Sequence, residues 1–186
     1  LFGGNNASSN LIQDTYTWDG LNWIQKSVPG TKPDARMWHT MAYDAERKQT
    51  VLFGGTLGGS CANDTWLWDG AGWTKRDVVG PDARQAASMA YDAARKQVVL
   101  FGGHSCVGGT LFNDTWVWDG AVWEKKTSTG QTPSTRWLTS MTYDSARKQI
   151  IMTGSSNGGA ADLWTWDGSA WTSRTIANPP SQRQQP

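Results

Sequence analysis

Few side chains in this sequence are equipped for bond-making chemistry. There are two histidines, His39 and His104, and two cysteines, Cys61 and Cys106, in 186 residues. A metal site would need both histidines to converge with carboxylates. Nothing in the spacing requires that, so neither a metal nor any other cofactor is expected. The single Gly-x-Ser-x-Gly match, Gly154 to Gly158, has no helical pattern after it and so makes no nucleophile elbow, and a phosphate-cradling Gly-Lys loop is missing from the sequence. Cys61 and Cys106 lie 45 residues apart, so they are either two free thiols or a bridge between neighbouring segments. A bridge would contribute roughly 3 to 4 kcal/mol in the loop-entropy model and would suit an exported or extracellular protein.

The abundant residues tell more than the scarce ones. Thirteen Trp and 21 Gly point to internal repetition. Four stretches align: DTYTWDGLNW from Asp14, DTWLWDGAGW from Asp64, DTWVWDGAVW from Asp114 and DLWTWDGSAW from Asp162, with a period of 48 to 50 residues. They hold Trp18, Trp23, Trp66, Trp68, Trp73, Trp116, Trp118, Trp123, Trp164, Trp166 and Trp171, which are therefore read as scaffold. A second motif recurs as ARMWHTMAYDAERKQTVLFGG, ARQAASMAYDAARKQVVLFGG and TRWLTSMTYDSARKQIIMTGS, opening on Arg36, Arg84 and Arg136. The repeated Asp and Arg invite a reading as a carboxylate cluster or an anion ring. Recurrence in every unit favours a structural role: Asp accepts backbone N–H bonds at a loop end, while Arg binds carbonyls or that Asp.

Each unit must position these residues with four short strands. Met41 to Asp44 reads as an inner strand that turns into a continuous apolar run, Thr50 to Phe53, as expected of a strand covered on both faces. The third strand alternates, with Trp66 and Trp68 on one face and Leu67 on the other, and Asp69-Gly70 marks a tight hairpin. A two-residue loop would set Trp66 opposite Trp73, and a four-residue loop would set Trp68 there. The fourth strand continues polar, as in Thr74-Lys75-Arg76, which suits an outer edge. Three strands in the first unit and four in each of the others make fifteen.

Units of this length ending in Gly-Gly resemble a kelch-type β-propeller, and the resemblance covers essentially the whole chain. The PxAR, MAYD, LFGG and NDTWxWDG elements are most similar to bacterial kelch repeats related to the galactose oxidase central domain. The resemblance implies an all-β propeller of about four blade units: 1–30 without its first strand, 31–80, 81–130 and 131–180, with 181–186 opening a further unit. Since kelch propellers usually have six or seven blades, the chain is expected to be a piece of a longer propeller, a small closed ring, or a half-ring that dimerises through open blade edges. The copper-oxidase activity is not carried over, because Tyr43, Tyr91 and Tyr143 are repeat positions and no matching constellation is present.

Length varies only in the second-to-third and fourth-to-next-first connections, which lie at the same end of an up-and-down meander. Loops on a rigid scaffold are where binding usually resides. The units also differ where they enter the inner strand: Met37-Trp38-His39, Gln85-Ala86-Ala87 and Trp137-Leu138-Thr139. Trp38 and Trp137 are either aromatic platforms at the channel mouth or filling between blades. With His39, Gln85, His104, Phe112 and Asn157 they form the candidate ligand-binding set.

Seventeen Lys and Arg against sixteen Asp and Glu leave a net charge of +1, which provides no field for nucleic acid. No window approaches a membrane span, and the opening LFGGNN lacks the features of a secretion signal, so a processed or excised chain is expected. The expected function is noncatalytic recognition of a protein, peptide or carbohydrate on the loop face. A carbohydrate-active epimerase, lyase or oxidase-like enzyme on kelch blades is the alternative. A pure assembly module is the third reading.

Overall fold

The computed structural model describes residues 1–154 and 162–175, and in them the chain forms fourteen strands and no helix. β1 (Thr15–Trp18) and β2 (Trp23–Lys26) make a two-stranded sheet. β3 (Thr40–Asp44), β4 (Gln49–Phe53), β5 (Thr65–Trp68) and β6 (Trp73–Arg76) form the next, in chain order. β7 (Ser88–Asp92), β8 (Gln97–Phe101), β9 (Thr115–Trp118) and β10 (Trp123–Lys126) form the third; β11 (Ser140–Asp144), β12 (Gln149–Thr153), β13 (Leu163–Trp166) and β14 (Trp171–Arg174) form the fourth. All pairings are antiparallel. The architecture is that of a kelch-type propeller whose sheets, among the described residues, do not close into a ring.

Two details differ from, or decide between, the sequence expectations. The fifteenth strand is reduced to one bridge, Phe2 to Thr15, because only two residues precede Gly3-Gly4 and a ladder needs more. The hairpin loop has four residues, so Trp68 faces Trp73, Trp118 faces Trp123 and Trp166 faces Trp171. In each loop an Asp carboxylate accepts two backbone N–H bonds, Asp69 from Ala71 and Gly72 and Asp119 from Ala121 and Val122. That holds the turn without a metal or a partner strand.

The core lies between sheets. Trp66, Trp68 and Trp73 pack with Phe2 and Leu52 toward the first sheet, whereas Leu67 packs with Val51, Phe53, Trp118 and Trp123 toward the third. The alternation in β5 thus feeds two interfaces at once. Each junction is fastened by an indole: Trp73 Nε1 donates to Thr15 Oγ1 at 3.0 Å, Trp123 to Thr65 at 2.8 Å and Trp171 to Thr115 at 2.8 Å. Phe2, Phe53 and Phe101 meet the same three rings edge-on, with centroids 5.2, 5.5 and 5.2 Å apart. The inner strands β3, β7 and β11 pack in series, with β7 in the middle.

Candidate functional site

The repeated charges resolve into three equivalent clamps. Arg36 Nη2 donates to Asp64 Oδ2 at 2.9 Å while Nη1 also reaches the Gly54 carbonyl at 3.0 Å. Arg84 grips Asp114 and the Gly102 carbonyl, and Arg136 grips Asp162 and the Gly154 carbonyl. The indoles of Trp66, Trp116 and Trp164 donate to the same three carboxylates at 2.7, 2.8 and 2.7 Å. Burial alone would raise these carboxyl pKa values; the guanidinium and indole donors more than offset it and hold all three below the ordinary carboxylate range. The clamps anchor the start of β3, β7 and β11 against the following Gly-Gly turn, so their charge is consumed internally. Asp14 has no such partner among the described residues.

Above the clamps the variable loops form one end of the arc. Isolated bridges join Met37 to Thr56 and Gln85 to His104, so the segments entering β3 and β7 each lie beside the second-to-third loop of their own sheet. Cys61 and Cys106 form a disulfide with Cα atoms 5.3 Å apart, which ties two such loops together across a sheet junction.

His104 packs edge-on against Trp137 with ring centroids 5.1 Å apart. Gln85, bridged to His104, is buried and its Oε1 has no hydrogen-bond donor. Gln85, His104 and Trp137 are thereby brought together, while Phe112 turns the other way and lies 3.9 Å from the Arg84 guanidinium. Asn157 lies outside the described residues.

Trp38 is half exposed, at 50%, on backbone with φ of +56°. Its carbonyl accepts from Ala86 N at 2.8 Å, and the Ala86 carbonyl accepts from Leu138 N at 2.9 Å. Ala86 and Leu138 share the left-handed backbone, with φ of +54° each. This chain of bonds couples the inner-strand starts, and the differing side chains Trp, Ala and Leu gave no sequence signal for it.

His39 sits lower, edge-on to Phe2 at 5.7 Å. Burial and then the Arg36 charge push its pKa down to about 4, and its Nδ1 has no hydrogen-bond partner. The two histidines thus serve different neighbourhoods. No cluster of three His, Cys, Asp or Glu able to hold a metal occurs among the described residues.

A family model described as the KLHDC2/KLHL20/DRC7 Kelch-repeats domain matches residues 1–186. The chain belongs to the kelch-repeat family. A search of curated proteins finds no match. Kelch domains generally bind proteins, so the kelch chain is in general terms a protein-interaction scaffold. Among the described residues, which form only strands and loops, no helix is long and apolar enough to cross a membrane.

Proposed function

We propose that this kelch chain recognises a protein segment at the loop end of the arc, centred on Gln85, His104 and Trp137 with Trp38 beside them. The observation that carries the reading is the buried Gln85 Oε1, an acceptor with no donor, placed next to a half-buried aromatic pair. Buried acceptors left unmatched are costly, and a rotation of the Gln85 side chain that brings Oε1 to the surface would let an incoming backbone N–H satisfy it. The half-exposed Trp38 ring adds apolar area of the kind that dominates recognition surfaces. The disulfide and the backbone bonds from Trp38 to Ala86 and Leu138 hold that end rigid before binding, which limits the ordering cost. The disulfide also supports an oxidising compartment.

The exposed Trp38 ring equally suits stacking on a sugar, so the test carries both arms. A random peptide library panned against the chain and a glycan array are probed with wild type, Trp38→Ala and Trp137→Ala. Peptides retained by wild type and bound at least tenfold more weakly by Trp137→Ala are expected. Selected peptides that bind both variants as tightly as wild type would remove this face from the function, and glycan binding lost in Trp38→Ala would replace the peptide with a carbohydrate. Turnover of a sugar substrate abolished by His39 or His104 substitution would favour the enzymatic alternative.

A further inference from the structure

The three internal junctions define a repeated fit, and its two halves are both present at the ends of the arc, unpaired among the described residues. On one half, the tryptophan pair of the following sheet lies over the preceding sheet, and an arginine from the inner turn of the preceding sheet reaches the hairpin glycine of the following one. Thus Arg47 lies against Gly120, and Arg95 lies against Gly168. The Arg47 and Arg95 side chains are 35% exposed, but Arg147, the equivalent in the fourth sheet, is 73% exposed. At the other end, Gly20 has open space where a Cβ would stand, just where Gly120 meets Arg47.

The aromatic half is equally unpaired. Trp18 and Trp23 keep the geometry of the buried pairs, with centroids 5.5 Å apart against 5.4, 5.5 and 5.4 Å, yet they are 54% and 56% exposed. The outer face of the fourth sheet carries a cavity of about 360 Å³ lined by Ile151, Leu163, Thr165, Arg147 and Arg174. Its floor changes one detail of the pattern. The cross-strand pairs Phe2 and Thr15, Phe53 and Thr65, and Phe101 and Thr115 become Thr153 and Leu163. One hydroxyl and one apolar side chain are retained, exchanged between strands. Thr165 stands where β5 has Leu67, but Thr17 stands at that position in the first sheet and a tryptophan pair, Trp68 and Trp73, still lines the junction beside it.

We propose that the outer face of the fourth sheet receives the Trp18 and Trp23 pair of a second copy of this chain, with Arg147 over Gly20 and the Trp23 indole N–H donated to the Thr153 hydroxyl. The contact is head-to-tail: one copy supplies the tryptophans and the other the socket. It is separate from the loop end, so it stands or falls independently of the peptide-binding reading. The missing edge-on Phe makes the contact weaker than the internal junctions, and the association is reversible.

The test is the absolute mass of the 186-residue chain by light scattering over a hundredfold concentration range. Wild type is expected to rise from 20.4 kDa toward twice that or more. Trp23→Ala and Leu163→Arg should each raise the dissociation constant at least tenfold. Mixing those two variants should restore dimers, because one intact half of each remains. Thermal melts of each variant check folding; if Leu163→Arg melts early, Arg147→Glu takes its place. A wild-type mass fixed at the monomer overturns the proposal. So does a folded mixture that stays monomeric, or a Trp23→Ala variant that associates as wild type does.

Discussion

Four aspartates share one sequence position but not one environment. Asp64 is held by Arg36 and Trp66, and the Arg36 side chain is fully buried. Removing one partner of such a pair strands a buried charge. Asp64→Ala should therefore destabilise the protein by about 3 to 5 kcal/mol. Asp14→Ala, with no arginine among the described residues to strand, should stay within about 0.5 kcal/mol, the two compared by urea unfolding. The sequence placed both residues in one class because their motifs match; only the position of Asp14 in an incomplete sheet separates them. His39 supplies the second contrast. Its pKa lies at about 4 in the folded chain against an ordinary 6.5, so between those values the unfolded state binds a proton that the folded state does not. Stability is full above pH 6.5 and falls as pH drops toward 4, by up to about 3 kcal/mol. His39→Thr, the residue type at the equivalent position Thr139, should flatten that stretch of the pH–stability curve.

At the level of strands and turns the sequence was most informative. Alternation, the Asp-Gly turns and the Gly-Gly breaks located every strand that has enough residues to pair. The loop length was open between two and four residues, because the choice depends on how the Asp carboxylate caps the turn, as Asp119 does with the N–H groups of Ala121 and Val122. The glycine of that turn has a second function invisible in its own motif. Gly120 has φ of +103°, and a Cβ there would run into the Arg47 side chain. Arg47 is fixed by Asp44 at 3.0 Å and the Lys96 carbonyl at 3.1 Å, so it cannot yield without loss. Gly70, with φ of +102°, meets nothing within 4 Å. Gly70→Ala should cost about 1 kcal/mol from backbone strain alone. Gly120→Ala should cost at least twice as much, and the difference in melting temperature between the two variants measures the sheet-to-sheet contact.

Across the arc, the described residues of each sheet pack only on neighbouring sheets, so stability is a sum of sheet and junction terms rather than of one shared core. The repeat spacing showed that Cys61 and Cys106 could meet at consecutive sheets, but it left the bridge and the free thiols equally open, since pairing depends on the paths of loops of unequal length. Gln85, His104 and Trp137 were candidates from the sequence, but which candidates meet was hidden for the same reason: Trp137 meets His104 from the neighbouring sheet, a contact no spacing within one unit encodes. The disulfide closes a 45-residue loop across the junction of the second and third sheets, which the chain-entropy model values at about 4 kcal/mol. Because coupling runs between neighbours, that loss should not spread evenly. Reduction with dithiothreitol, or the Cys61→Ser and Cys106→Ser double variant, should lower the melting temperature. In hydrogen exchange, protection should fall first in β3 to β10, while β11 to β14 change least. A uniform loss across all fourteen strands would mean instead that the arc unfolds as a single cooperative unit.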